Sequence, residues 1–163
     1  MIWFRPRSRR HSAHSGLAGP HRRRLLFLEP LEDRLAPAVF TVNNAGDTGA
    51  GAGLAGDLRY CITQDNATPG ANTIQFDIPG AGVQTINLTS ALPAISNPVV
   101  VDGYSQPGAA ANTLTVGDNA VLLVQLDGSS AGSGANGLTI DAGNCTVQGL
   151  VIDHFADGFL LQN

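Results

Sequence analysis

The sequence contains no lysine; its nine basic residues are all arginine, and eight of them lie at or before Arg34. From residue 35 onward Arg59 is the single cation, set against ten aspartates and no glutamate. Binding to a phosphate backbone needs clustered Lys or Arg, so nucleic acid is excluded as a partner of this acidic body. No apolar run reaches ~18 residues, so no transmembrane helix is expected. Cysteine is scarce as well. Cys61 and Cys145 are far apart and in no metal-ligand spacing. They could form one disulfide outside the cell, but two buried free thiols are the expectation. Aromatic residues are few, whereas Gly, Ala, Asn and Thr are abundant.

Charge divides the chain unevenly. Residues 1–34 carry a net +5, eight Arg against Glu29, Glu32 and Asp33, while residues 35–163 carry a net −9. A basic leader on an acidic body is the simplest reading, and 163 residues suffice for one folded domain. Residues 1–38 are assigned to an export or sorting leader, predicted to be disordered. The apolar run Leu25-Leu26-Phe27-Leu28 stops at Glu29, short of the ~7–15 apolar residues of a conventional signal peptide. Ala36-Pro37-Ala38 has the small side chains of a cleavage site. The Arg-rich, Ser-containing start would also suit an organelle transit peptide. Alone, the leader could touch nucleic acid or an anionic membrane, but no folded basic module surrounds it.

From Val39 the pattern changes to period two. Phe40 and Val42 alternate with Thr41 and Asn43; Ile74, Phe76 and Ile78 alternate with Gln75 and Asp77. Similar short runs centre on 86–88, 99–101, 114–116, 122–126, 138–140, 147–152 and 159–161. Turn residues separate them, as in Pro79-Gly80, Asp102-Gly103, Pro107-Gly108 and Asp127-Gly128. The segment Asn44–Gly53 is read as a loop too rich in glycine to hold a strand. Residues 57–66 are predicted to form one helix, capped by Asp57, with Leu58 and Ile62 on one face.

Short strands at this spacing fit a β-sandwich or a parallel β-helix. Ala135-Asn136-Gly137-Leu138-Thr139-Ile140-Asp141 is echoed 21 residues later by Ala156-Asp157-Gly158-Phe159-Leu160-Leu161-Gln162. A sandwich has no reason to repeat a strand in register, so the echo favours stacked coils. The fold class expected is therefore all-β, a right-handed parallel β-helix (solenoid) over residues 39–163. Its short N-terminal helix would cover the first open strand edge. The chain stops directly after a strand, so it is expected to be the N-terminal piece of a longer protein or the product of a truncated reading frame. The open edge would invite self-association or further rungs.

Two stretches carry a resemblance. Leu28-Glu29-Pro30-Leu31-Glu32-Asp33-Arg34-Leu35, preceded by three arginines, resembles the LEPLEDR leader of large exported proteins of planctomycete-type bacteria. Gly56-Asp57-Leu58-Arg59-Tyr60-Cys61-Ile62, Asn66-Ala67-Thr68-Pro69-Gly70-Ala71-Asn72-Thr73-Ile74-Gln75-Phe76 and Pro98-Val99-Val100-Val101-Asp102-Gly103-Tyr104-Ser105-Gln106-Pro107-Gly108 are similar to the cap and first rung of bacterial surface β-helix proteins with pectin-lyase-like repeats. Asp57 replaces the usual Ser of that pattern, and Tyr60-Cys61 replaces Glu-Ala. The resemblance implies an exported or cell-surface bacterial protein.

Chemistry is sparsely encoded. A lyase-type β-elimination needs a cation beside the uronate and a carboxylate cluster for Ca²⁺. Arg59 in the helix is the only cation offered. Glycoside hydrolysis needs two carboxylates on one face, but Asp102, Asp127 and Asp141 each follow an apolar strand, where turn-forming Asp is ordinary. His154, flanked by Asp153 and Phe155, could be a general base or one metal ligand. As a lone His it is read as a surface or turn residue. No Asp-x-Asp-x-Asp spacing supports Ca²⁺. Asn144 and Asn163 could join an internal Asn ladder, and Arg59 is expected to pair with a nearby Asp. No catalytic, cofactor-binding or metal-ligating residue is assigned, and no cofactor is expected. The expected function is that of a non-catalytic structural or adhesive module, with polysaccharide or cell-surface components as partners. The runner-up is part of a carbohydrate-active enzyme, a polysaccharide lyase or glycoside hydrolase, with its catalytic residues elsewhere.

Overall fold

Apolar side chains at alternate positions decide which way each strand faces. In the computed structural model, which describes residues 36–162, Phe40 and Val42 of β1 (Val39–Val42) point inward and Val39 outward. Ile74 and Phe76 of β4 (Asn72–Phe76), Val99 and Val101 of β6 (Val99–Asp102), and Val124 and Leu126 of β7 (Val124–Asp127) repeat the pattern. Each such side chain, fully buried, contributes roughly 1.5–3 kcal/mol of transfer free energy, offset in part by chain ordering. Ile86 of β5 (Gln84–Asn87) and Leu138 and Ile140 of β8 (Leu138–Ile140) complete the interior.

Among the described residues the strands sort into three sheets. The largest has six strands in the order β2-β3-β1-β4-β6-β9, where β2 is Gly51–Ala52, β3 is Ala55–Gly56 and β9 is Thr146–Gln148. The second has the order β10-β7-β5, with β10 at Leu150–Asp153. The third pairs β8 with β11 (Phe159–Leu161). All named pairs are parallel except β2–β3, which is antiparallel.

This architecture corrects the expected all-β, right-handed parallel β-helix. The largest sheet is mixed, a helix contributes to the core, and no closed solenoid of three-strand rungs is found among the described residues. The physical reason lies in unequal connections. The 21-residue echo does pair with itself, Leu138 with Phe159 and Ile140 with Leu161. Elsewhere the spacing is different: Thr85 meets Gln125 across 40 residues, and Asp102 meets Gln148 across 46. A repeat confined to one two-stranded sheet does not impose a regular coil.

Two local expectations also change. The glycine-rich loop holds a strand after all: β2 and β3 form a hairpin turning at Gly53, whose φ of +58° is readily available to glycine. The run at Leu114–Val116, expected as a strand, is an exposed loop with Val116 88 % accessible. There Asn112 and Asn119 supply side-chain oxygens to the backbone N–H groups of Leu114 and Thr113. A polar closure of this kind competes with strand pairing.

The helix α1 spans Leu58–Ala67, with Asp57 as its N-cap. It packs on β1, β3 and β4 and buries Leu58, Cys61 and Ile62. No helix among the described residues is long and apolar enough to cross a membrane. The basic leader assigned to residues 1–38 lies almost wholly outside the described residues, and the first strand begins at Val39.

Candidate functional site

The buried polar side chains Asp57, Asn72 and Gln106, and several half-buried ones, close backbone hydrogen bonds. The buried carboxylate of Asp57 accepts from the N–H groups of Tyr60 at 2.8 Å, Thr48 at 2.9 Å and Ala50 at 2.9 Å. It thereby caps α1 and clasps the glycine-rich segment in one stroke. Arg59 does pair with an aspartate, Asp47, at 2.8 Å. Its other guanidinium contacts donate to the carbonyls of Ser90 and Ala91, while Asp47 also accepts from Thr89. The one cation of the body thus ties the loop before α1 to the turn after β5.

The segment Gly103-Tyr104-Ser105-Gln106 acts likewise. Gln106 is buried, accepts from Ile78 N–H at 2.9 Å and donates to Ile78 C=O at 2.8 Å, so its amide imitates a neighbouring strand. The Ser105 hydroxyl accepts from Phe76 N–H. Asn72 and Asn97 both donate to Thr68 C=O, beyond the end of α1, and to Asp65. Asn66 bonds Ala94 C=O and Ser96 N–H. These Asn and Gln roles were missed from sequence; their recurrence beside turns was the only signal. Asp65 is buried with one carboxylate oxygen lacking a partner. Burial raises its pKa, against the lowering effect of the Asn72 and Asn97 hydrogen bonds.

Both cysteines are free thiols. Cys61 is buried, and desolvation, helped by the charge of Asp57, pushes its pKa up to about 12. It is an unreactive core residue. Cys145 is half-buried, so the expectation of two buried thiols holds fully for Cys61 only. Asp102 closes the turn after β6 by accepting from Tyr104 N–H at 3.1 Å, and its outward carboxylate also takes Gln148 Nε2 at 3.0 Å. Asp141 follows β8 and is exposed. Asn144 occupies a left-handed turn, φ +59°. Its suggested ladder partner, Asn163, lies outside the described residues.

One cluster faces outward. Parallel pairing of β7 with β10 sets Asp127 directly opposite Asp153. Gly128 lies so close to the next segment that a Cβ there would sit 2.5 Å from the His154 carbonyl oxygen. His154 itself is left-handed, φ +59°. Its ring returns over the aspartates, Nδ1 lying 3.0 Å from Asp127 Oδ1 and 3.4 Å from Asp153 Oδ1. The Ser129 hydroxyl and N–H both bond Asp127 Oδ1; with His154 adding a smaller effect, they hold the Asp127 carboxyl below its usual range. Gln125 donates to Asp153 Oδ2 at 2.8 Å and is itself held by Thr85 at 2.9 Å. Asp153 Oδ1 is shielded from solvent and has no hydrogen-bond partner among the described residues.

One ligand atom from each of Asp127, Asp153 and His154 lies within 4.8 Å of the others. In the sequence His154 stands alone and Asp127 reads as a turn former, which it also is. Comparison with protein-family models, with characterised proteins and with solved structures finds no match to this chain.

Proposed function

We propose that this chain is a non-catalytic structural or adhesive module of an exported or cell-surface bacterial protein. The observation that carries the reading is how its polar side chains are used. Asp47, Asp57, Asn66, Asn72, Asn97, Ser105 and Gln106 are spent on backbone groups. What remains outward are rows of amide, hydroxyl and carboxylate groups. Thr41 and Gln75 are bonded to one another, as are Asp102 and Gln148, and the four positions stand in register across β1, β4, β6 and β9. Such a row suits hydrogen bonding to the hydroxyls of a polysaccharide, a partner class consistent with the net charge of −9 only if the glycan is not itself strongly acidic.

Export rests on the leader's resemblance to the LEPLEDR signature. Among the described residues, β9, β10 and β11 each pair on one side only, which supports self-association through these edges.

The test is a panel of neutral and acidic polysaccharides, scored for both retention and cleavage. Retention of a neutral glycan without turnover is expected. Cleavage that disappears in Asp102→Asn, Asp127→Asn or Asp153→Asn would refute the reading.

A further inference from the structure

We propose that Asp127, Asp153 and His154 form a binding site for a divalent transition-metal ion of the Zn²⁺ type on the outer face of the β7–β10 pair. An ion about 2.1 Å from a nitrogen and an oxygen ligand holds those two ligands about 3.0 Å apart in octahedral and about 3.4 Å apart in tetrahedral geometry. Nδ1 of His154 stands 3.0 Å from one carboxylate oxygen and 3.4 Å from the other. A proton on Nδ1, donated to Asp127, would account for the shorter contact alone. It would leave Asp153 Oδ1, an atom with almost no accessible surface on a half-buried side chain, with the 3.4 Å contact to that nitrogen but no hydrogen bond among the described residues. A cation serves both oxygens and the ring nitrogen together.

The supports are those of a built site. Metal-ligating carboxylates are oriented by outer hydrogen bonds. Here Gln125 fixes Asp153 through its second oxygen, and Thr85 fixes Gln125. Ser129 orients Asp127 through Oδ1, the same oxygen that faces His154. Register pairing places the two carboxylates opposite each other, so their mutual repulsion favours a positive occupant. The imidazole selects the class of metal: nitrogen with two oxygens suits Zn²⁺, Co²⁺ or Ni²⁺, whereas Ca²⁺ and Mg²⁺ prefer oxygen alone. His154 is 62 % exposed, which leaves the remaining coordination positions to water or to a ligand such as a glycan hydroxyl. The ion would also pin β10 to β7.

The test uses the full chain with His11, His14 and His21 replaced together by Gln, so that leader histidines cannot take up metal. Zn²⁺ is followed by calorimetry and Co²⁺ by its visible absorption. One Zn²⁺ per chain is expected, with a rise in melting temperature. Removing a ligand should cost at least the ~10-fold affinity that losing a supporting group costs; this applies to His154→Gln and Asp153→Asn, while Asp118→Asn should leave affinity unchanged. Circular dichroism of each variant without metal confirms folding. The proposal fails if Zn²⁺ does not bind in the millimolar range. It fails equally if uptake is the same in folded His154→Gln and Asp153→Asn, or if Ca²⁺ or Mg²⁺ binds more tightly than Zn²⁺.

Discussion

The two ends of the folded body use the same residue types in opposite ways. Around α1, from β1 to Gln106, Asp57, Asn72 and Gln106 turn inward and bond backbone groups, although Gln75 and Asp102 of the same span stay outward. Asp57 and Gln106 are buried with every polar atom of their bonding groups engaged by main-chain N–H or C=O. From β7 to β11, aspartate turns outward. Asp127 and Asp153 stand in register at the surface; Val124 and Leu126 of β7 are buried, whereas β9, β10 and β11 are half-buried or exposed. Inward polar groups carry a large energetic stake, because a buried donor left alone costs about 1–3 kcal/mol. Outward ones carry little and remain free for a ligand. The stability of this molecule should therefore be concentrated near α1 and its binding chemistry near β10.

Substitutions can break the contrast. The largest loss is expected for Asp57→Ala, which strands three N–H groups and removes the helix cap, and should cost about 2–4 kcal/mol in urea unfolding. Gln106→Ala leaves Ile78 N–H and C=O unpaired and should cost about 2 kcal/mol by the same assay. At the outward cluster, His154→Gln should stay within about 0.5 kcal/mol of the wild type when metal is absent. A loss there as large as that at Asp57 would erase the distinction.

Asp65 sharpens the contrast through pH. Its folded-state pKa is raised, chiefly by burial, so the native state holds this proton more tightly than the unfolded chain. The stability it contributes is complete below the ordinary carboxylate range and declines as pH rises through the raised folded value. Asp65→Asn removes the decline. The variant should gain stability relative to wild type on going from acid to neutral pH, with the difference read from unfolding midpoints at several pH values.

Sequence reasoning reached the parts of this molecule whose causes are local. Asp57 before Leu58 and Ile62 announces a capped helix, and the alternation at Ile74 and Phe76 announces a half-buried strand. It overreached on architecture, because the echo between Leu138 and Phe159 describes one pair of strands rather than a period kept throughout. It missed the β2–β3 hairpin because glycine there gives no strand signal, and packing of Tyr60 over Gly51 and Gly56 takes its place. The meeting of Asp127, Asp153 and His154 was illegible for a related reason. It depends on parallel register between β7 and β10, which core packing of Leu126 and Ile152 sets.

Native-state hydrogen exchange tests the central contrast most directly, since it reads the opening free energy of each amide. The amides of Ala50, Tyr60, Phe76 and Ile78 should exchange only through global unfolding, while those of Leu150–Asp153 and Phe159–Leu161 should exchange earlier, through local opening. Equal protection across both groups, or the reverse order, would contradict the account.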